Sequence, residues 1–292
     1  MAEKEWAGTT YGNGWMHKWL IRMLRLIPVG VLYAFVALFI VPVCLIVNPG
    51  RKSTYRYFRH IWAYSPMKSF LKTYRNFYLF GQVVVDRFAM YAGKKFRIEI
   101  EGYDEFLVRA DRAEGFIQMS AHVGNYEIAG YTLRAEKKRF NALVFAGEKD
   151  SVMENRNRMF GETNIQMIGI RNDMSHLFEI NQALSNGEIV SMPADRFFGS
   201  QKSITHSLLG KEASFPLGPF AVAVSRSLDV LAVNVMKSSS TGYKIYVTPL
   251  AYDKNAPKKE QISQLSTAYV HELERILHIY PEQWYNYFDF WK

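Results

Sequence analysis

The longest uninterrupted apolar segment of the chain lies near its start. From Leu26 to Val47 the sequence reads LIPVGVLYAFVALFIVPVCLIV, without a single charge. About 20 apolar residues are enough for a helix to cross the hydrocarbon core of a bilayer. A secretory signal peptide has a shorter apolar region and ends at a small-residue cleavage site. The segment therefore predicts membrane attachment, with a buried core helix as the alternative. Pro28, Gly30 and Pro42 leave both a straight span and a kinked or re-entrant segment open.

A second helix is predicted to begin after Pro66 and to extend to Tyr91. Its apolar stripe at helical spacing consists of Phe70, Tyr74, Phe77, Tyr78, Gly81, Val84, Val85, Phe88 and Tyr91, and Lys68, Lys72 and Arg75 lie off the stripe. Beside the apolar segment, this pattern favours an amphipathic helix that lies against lipid headgroups. A core helix with a solvated basic face is the alternative.

Beyond about residue 96, short runs of β-forming residues alternate with helical patterns. The predicted strands are Phe96–Ile100, Phe116–Ser120, Ala142–Ala146, Gln166–Ile170, Ile189–Met192, Ile204–Leu209, Val230–Val235 and Lys244–Thr248; predicted helices include Asp173–Ser185 and about Glu260 to Tyr280. This alternation predicts a single α/β domain with a mostly parallel sheet and helices on both faces. We expect residues 1–95 to form a membrane-anchoring and interfacial helical region and residues 96–292 to form the α/β domain.

Composition and charge support this division. The 292 residues are 49% apolar, and this share excludes intrinsic disorder as the overall class. The formal net charge of the chain is +9. Residues 1–100 hold 15 lysines and arginines against 4 acidic residues, whereas the rest of the chain is close to neutral. A basic arm indicates nucleic acid or an anionic membrane, and the neighbouring apolar segment favours the membrane. The one cysteine, Cys44, excludes an internal disulfide and a multi-cysteine zinc site.

One short segment carries side chains suited to catalysis. The sequence FIQMSAHVGNYEIAGY places His122 and Glu127 between a predicted strand and a predicted helix. Ligands bind at the ends of parallel strands, where a following helix offers free backbone N–H groups. A carboxylate five residues from a histidine can orient the imidazole while the ring accepts a proton. A capped helix start with a surface histidine is the alternative that these residues leave open.

These residues resemble a known family. His122-Val-Gly-Asn-Tyr-Glu127 resembles the H-x4-(D/E) motif of the lysophospholipid acyltransferase (LPLAT) superfamily, in the HxGNWE form typical of the lipid A biosynthesis acyltransferases, with Tyr126 in place of tryptophan. Further landmarks follow in the family's order, over about residues 15–291: Ile168-Gly169-Ile170-Arg171, Ala194-Asp195-Arg196, the Leu209–Pro219 element and the ending Tyr280-Pro281-Glu282-Gln283-Trp284-Tyr285. Between Val144 and Arg158 the Tyr-Arg pair frequent in the family is missing, which leaves the acceptor open.

The resemblance implies an O-acyltransferase at the bacterial inner (cytoplasmic) membrane, with its catalytic domain on the cytoplasmic side. It would move a fatty acyl chain from acyl carrier protein or coenzyme A to a hydroxyl of a lipid or glycolipid, with lipid A favoured. His122 would be the general base and Glu127 would orient it. The backbone N–H groups of Gly124 and Asn125 would stabilise the oxyanion. Oligomeric state, acyl length and donor stay open.

The remaining candidate residues concern substrate binding. Arg158 and Arg171 would contact a phosphate or the acyl carrier, with a surface salt bridge as the alternative. Asp195 and Arg196 would shape the site or form a structural ion pair, and Gly218 would serve a tight turn or a close backbone approach. We expect an acyl groove walled by the stripe residues Phe70, Tyr74, Phe77, Tyr78 and Phe88, with plain core packing as the alternative.

Two other functions stay open at the level of the sequence. A thioesterase or lipid hydrolase would use the same His-Glu pair to activate water, and a membrane-bound lipid or acyl-carrier binding protein would need no catalysis. We expect no metal, no bound cofactor and no nucleic-acid partner, because the histidines lack ligand spacing and no Gly-rich phosphate loop or nucleic-acid module is present.

Overall fold

The computed structural model describes residues 14–133, 135, 137–145, 164–170, 175–197 and 202–291. Its strands are β1 (Arg97–Glu101), β2 (Phe116–Ser120), β3 (Phe140–Phe145), β4 (Ile165–Ile170), β5 (Ile189–Pro193), β6 (Ser203–Leu208), β7 (Lys211–Pro216), β8 (Asp229–Lys237) and β9 (Gly242–Pro249). Seven of them form one sheet in the order β1-β9-β8-β2-β5-β3-β4, in which β8 and β9 pair antiparallel and all other neighbours are parallel. The predicted mostly parallel sheet is confirmed.

The strand that the sequence analysis missed is β7, which forms a separate antiparallel hairpin with β6. It begins with Lys211 and Glu212, two exposed charged residues, and buries side chains only toward its end. A two-stranded hairpin has one covered face at most, so its strands are less rich in apolar residues than the central strands. The eight predicted strands all correspond to observed ones.

Helices cover both faces of the seven-stranded sheet. They are α6 (Tyr103–Ala110) and α7 (Glu127–Thr132) on one face, and α8 (His176–Ser185), α9 (Gly218–Ser225) and α10 (Lys258–Ile279) on the other. Every residue of β2 is buried, with Phe116 in the cluster of α6 and α7 and its neighbour Ile117 in the cluster of α8 to α10. Successive side chains of a strand point to opposite faces, so β2 is the centre of a three-layer α/β domain, as predicted.

The N-terminal region is helical throughout its described part. It contains α1 (Gly14–Leu26), α2 (Val29–Phe35), α3 (Val41–Val47), α4 (Gly50–Arg56) and α5 (Pro66–Tyr91), with π-helical turns at Val36–Ile40 and Tyr57–Ile61. The segment Val29–Val47 is long and apolar enough to cross a membrane, and only 17% of it is buried. A core helix of a soluble protein is mostly buried, so this exposure favours lipid as the surrounding medium. The π-helical turn makes it an interrupted helix rather than an ideal one.

A buried polar network joins this apolar segment to the α/β domain. Lys237, the last residue of β8, lies 2.5 Å from a carboxylate oxygen of Asp86 on α5, and both side chains are almost completely buried. The hydroxyls of Tyr33 on α2 and Tyr243 on β9 donate hydrogen bonds to the same carboxylate. A buried charge needs such partners because desolvation is costly. The network therefore fixes the apolar segment against the α/β domain.

The basic residues of α5 are partly engaged within the protein. Lys72 and Arg75 both lie within salt-bridge distance of Glu282 in the C-terminal segment, and Lys68 lies 3.8 Å from the ring centre of Tyr64. The sequence analysis assigned these three cations to lipid headgroups. Glu282 pairs with Lys72 but lies 3.7 Å from Arg75, whose side chain is 62% exposed, so the contact of α5 with headgroups stays a prediction. The exposed apolar residues of α5 are Met67, Phe70 and Leu71.

Candidate functional site

The two parallel strands β2 and β5 bring distant parts of the chain together at their carboxyl ends. Ser120, the last residue of β2, pairs with Pro193, the last residue of β5, and the N–H of Ala194 donates to the carbonyl of Ser120 at 2.9 Å. The residues two positions beyond these strand ends are His122 and Asp195. Strand ends of this kind are where α/β proteins place their sites, so the register of the sheet itself creates the pair.

His122 and Asp195 form a close pair with defined geometry. The ring nitrogen Nδ1 of His122 lies 2.7 Å from Oδ1 of Asp195, and the backbone N–H of His122 donates to Oδ2 at 2.9 Å. The carboxylate is 1% exposed, whereas the imidazole is 19% exposed. A carboxylate that accepts a hydrogen bond from Nδ1–H keeps the proton of the neutral ring on that nitrogen, so Nε2 retains its lone pair. His122 is therefore set up to accept a proton at Nε2.

The surroundings keep His122 neutral and Asp195 ionised at neutral pH. Burial lowers the pKa of His122, and the positive charge of Arg196 lowers it further, although Asp195 opposes both effects. Burial raises the pKa of Asp195, but His122, Arg196 and the hydrogen bonds from His122 outweigh it and bring that pKa down to about 2. A neutral imidazole beside a carboxylate is the form that a general base needs.

Glu127 has other partners than the predicted one. Its Oε2 lies 3.1 Å from Nε of Arg87 on α5 and accepts a hydrogen bond from the hydroxyl of Tyr91 at 3.3 Å. Both charged side chains are nearly buried. The motif predicts that Glu127 orients the imidazole, but in the structure Asp195 is the carboxylate at Nδ1. The reason is the strand register, which brings Asp195 to the ring, while Glu127 opens α7 and faces α5.

The loop between His122 and α7 is held by backbone hydrogen bonds. The N–H of Gly124 donates to the carbonyl of Gln283 and that of Asn125 donates to the carbonyl of Val235, each at 2.8 Å. Gly124 has a φ of +53°, and a Cβ there would lie 1.9 Å from the carbonyl oxygen of Val235. These two N–H groups were predicted to stabilise an oxyanion; that prediction is wrong in this structure because both are already used inside the protein.

Asn125 also has a structural position rather than one facing a ligand. It is 1% exposed, and its side-chain amide donates to the hydroxyl of Tyr243 at 3.4 Å. Tyr243 in turn belongs to the buried network around Asp86. The motif is thus connected to the network that joins the apolar segment to the domain.

Besides Asp195, the predicted site residue Arg196 and the motif residue Tyr126 lie beside His122. The charge of Arg196 acts on both members of the pair, and its Nη2 donates to the carbonyl of Tyr285 at 2.6 Å. Its Nε is buried and has no hydrogen-bond partner among the described residues. The Tyr126 ring lies edge-on to the imidazole with centroids 6.2 Å apart and is exposed.

The other predicted site residues have varied positions. Gly218 opens α9, and a Cβ there would meet no atom within 4 Å, so the expected tight turn or close approach is wrong. Arg158 and Arg171 lie outside the described residues. Among the described residues, no three His, Cys, Asp or Glu side chains come together as metal ligands.

The stripe residues of α5 pack against both ends of the chain. Phe77 and Phe88 are buried in a cluster with α1 to α3, whereas Tyr74 and Tyr78 are half-buried and Phe70 is exposed. The hydroxyl of Tyr74 donates to the carbonyl of Ala37 in the apolar segment at 2.5 Å. Phe77 and Phe88 have the burial that core packing requires, and the acyl groove stays a prediction.

The C-terminal segment, for which the sequence predicts no role, lies alongside the His122–Glu127 motif. Gln283 accepts from Gly124, and the N–H of Tyr285 donates to the carbonyl of His122 at 3.0 Å. Trp284, between them, bridges to Val123 in antiparallel fashion. The signal in the sequence was the Pro-Glu-Gln-Trp-Tyr ending, which was used as a landmark only. Its position could not be predicted because it depends on contacts more than 150 residues apart.

Comparison with models of known protein families identifies the family of this chain. The family model "Bacterial lipid A biosynthesis acyltransferase" matches residues 75–292, well over half of the chain. The crystal structure of the 1-acyl-sn-glycerophosphate (LPA) acyltransferase PlsC from Thermotoga maritima is 16% identical, with 89% of this chain and 98% of that chain covered and a TM-score of 0.41. A comparison with curated protein sequences finds no match. The chain belongs to the bacterial lipid A biosynthesis acyltransferase family and is a membrane-associated O-acyltransferase.

Proposed function

We propose that the protein transfers a fatty acyl chain from an acyl thioester, on acyl carrier protein or coenzyme A, to a hydroxyl of a lipid or glycolipid acceptor, of the lipid A type. The observation that carries this proposal is the pair of His122 and Asp195 at the carboxyl ends of β2 and β5, with Nδ1 and Oδ1 2.7 Å apart. Family membership supplies the reaction class, and the pair supplies a group that can perform it.

In the proposed reaction, Nε2 of His122 removes the proton from the acceptor hydroxyl. The hydroxyl oxygen then attacks the thioester carbonyl and gives a tetrahedral intermediate. When the intermediate collapses, the C–S bond breaks and the imidazolium returns its proton to the leaving thiolate. Asp195 stabilises the imidazolium between these two transfers. No covalent enzyme intermediate is required.

The negative charge of the intermediate needs a donor other than the N–H groups of Gly124 and Asn125. Arg196 is the candidate among the described residues, because its charge acts on His122 and its Nε has no hydrogen-bond partner there. A preorganised donor of this kind stabilises developing charge more strongly in a site that excludes water. Glu127 would keep Arg87 in place and so hold α5 against the motif.

The acyl chain requires an apolar path, because each methylene exposed to water costs about 0.8 kcal/mol. We propose that the half-buried stripe residues Tyr74 and Tyr78, with Phe70, border this path between the membrane and His122. Phe80 on the same helix contacts Tyr285 with centroids 5.0 Å apart, and Tyr285 is hydrogen-bonded to His122. Substitution of Tyr74 by Trp should shift the preferred acyl length.

We place the enzyme at the inner membrane with the catalytic domain on the cytoplasmic side, where acyl thioesters are made. The apolar segment Val29–Val47 and its fixed docking to α5 support attachment. Accessibility of an engineered surface cysteine to a membrane-impermeant reagent in spheroplasts tests this orientation. Labelling before lysis would contradict it.

The test of the proposed reaction measures thioester loss and product formation together. Purified protein in detergent receives acyl carrier protein or coenzyme A thioesters, with and without lipid A precursor or glycerophospholipid acceptors, and products are identified by mass spectrometry. We expect thioester loss that depends on the acceptor and yields an acylated lipid. Equal loss without acceptor would identify a hydrolase, and absence of loss with all acceptors would favour a binding protein.

A further inference from the structure

Asp195 receives a hydrogen bond from a residue that no part of the proposed reaction uses. The indole Nε1 of Trp284 lies 3.3 Å from Oδ2 of Asp195. Oδ2 also accepts a hydrogen bond from the backbone N–H of His122, and the other oxygen, Oδ1, contacts Nδ1 of the imidazole. The two donors to Oδ2 therefore determine which way Oδ1 points.

The indole ring of Trp284 is itself held from several sides. It is buried, and Tyr57, Phe290 and Trp291 surround it with ring centroids 5.5, 4.9 and 5.6 Å away. Aromatic packing of this density restricts the ring to one orientation. The backbone on both sides is also fixed, because Gln283 and Tyr285 pair with Gly124 and His122. The direction of the N–H bond is thus set by the fold.

We infer that Trp284 is a positioning residue, whose indole N–H holds the carboxylate of Asp195 in the orientation that meets Nδ1 of His122. The inference rests on the proposed function for its effect on the reaction. The contact itself can be tested independently of activity. Supporting groups behind a catalytic residue determine whether its geometry is precise enough to work.

Loss of this N–H has a definite electrostatic consequence. A hydrogen bond to a carboxylate disperses its negative charge, so without it the charge on Asp195 acts more strongly on the imidazolium of His122. The other charged or titratable groups placed beside the pair are Arg196, Tyr126 and Tyr269, and none of them changes. Because the backbone N–H of His122 still donates to Oδ2 and keeps the carboxylate beside the ring, the His122 titration should move to higher pH.

The sharpest test replaces the indole N–H without changing the ring. Site-specific incorporation of 3-benzothienylalanine at position 284 puts sulfur in place of N–H in a ring of nearly the same shape, and Trp284→Phe serves as a second variant. Histidine-selective isotope labelling follows the titration of His122 by NMR, and the His122→Ala variant identifies its resonance. We expect the midpoint to rise and kcat/KM at pH 7 to fall about tenfold, the scale of one charged hydrogen bond.

Trp291 provides a matched control. Its indole Nε1 donates to the carbonyl of Leu208 at 3.2 Å, in the same aromatic cluster but without contact to the pair. The same replacement at position 291 should leave the His122 titration and kcat/KM unchanged. In the Asp195→Asn background, the replacement at position 284 should change kcat/KM less than about twofold, since the charge is already gone.

A midpoint that stays in place or falls, or one that the Trp291 replacement shifts equally, overturns the inference. Additive losses in the Asp195→Asn background overturn it too. Failure of the proposed function looks different: His122→Ala would then keep wild-type acyl transfer. The titration still decides the role of Trp284 in that case, because it does not depend on turnover.

Discussion

Replacement of Asp195 by Asn removes the negative charge beside Nδ1 of His122 and keeps the size of the side chain. The carboxylate is 1% exposed and lies 2.7 Å from the ring, so solvent screens the interaction weakly. Hydrogen bonds to charged groups contribute about 1.5–3 kcal/mol, and about 1.4 kcal/mol corresponds to a factor of ten in rate. We therefore expect kcat/KM to fall by about 10-fold to 10²-fold.

The same substitution should also change the pH dependence. Asp195 raises the pKa of His122 against the effects of burial and Arg196. Without that charge the pKa of His122 falls, and the acidic limb of kcat/KM moves to lower pH. The assay is thiol release from an acyl thioester with acceptor present, from pH 5 to pH 9, and circular dichroism confirms the fold.

Glu127→Gln is the control, because it neutralises the carboxylate that the motif alone would select. Its partner is Arg87, and breaking a buried ion pair costs about 3–5 kcal/mol of folding stability. We expect Glu127→Gln to lower the melting temperature and to leave the acidic limb of the kcat/KM profile at the same pH. If Glu127→Gln moves the limb and Asp195→Asn does not, the assignment of Asp195 to Nδ1 is refuted.

Three further predictions concern the scaffold. Gly124→Ala should lower the free energy of unfolding by more than about 2 kcal/mol, because the added Cβ is both strained and in a clash. Gly210 also has a positive φ but lies in open space, so Gly210→Ala should lower it by only about 1 kcal/mol in the same denaturant titration. Lys237→Met should lower it by about 3–5 kcal/mol by leaving a buried carboxylate unpaired, and a loss under 1 kcal/mol contradicts the network. Phe70→Ser should weaken vesicle binding about tenfold, while Phe178→Ser, equally apolar but on α8, should not; equal effects in a flotation assay refute the membrane-facing role of α5.

The elements of the α/β domain could be predicted because their signals are local. Short runs rich in apolar residues mark β2 and β5, and helical spacing marks α5 and α10 almost to their ends. The polar start of β7 gave no such signal, since a hairpin outside the main sheet buries little. The local sequence pattern thus predicts the layers of the fold but not the second strand of the β6–β7 hairpin.

The partner of His122 could not be predicted, because proximity in sequence favoured Glu127 over Asp195. The two residues of the observed pair lie 73 positions apart, and only the order of strands brings them together. That β2 and β5 are neighbours follows from tertiary packing, not from either segment alone. The position of the C-terminal segment, whose Gln283 carbonyl accepts the hydrogen bond of the Gly124 N–H, likewise follows from tertiary packing.

The most direct test of the central claim is single-turnover acyl transfer by His122→Ala. Wild-type and variant protein, matched for folding by circular dichroism, receive one equivalent of labelled acyl thioester and excess acceptor lipid. We expect the rate of acyl-lipid formation to fall by at least about 10³-fold, because the group that accepts the hydroxyl proton is gone. A variant that forms acyl lipid within tenfold of the wild-type rate would contradict it.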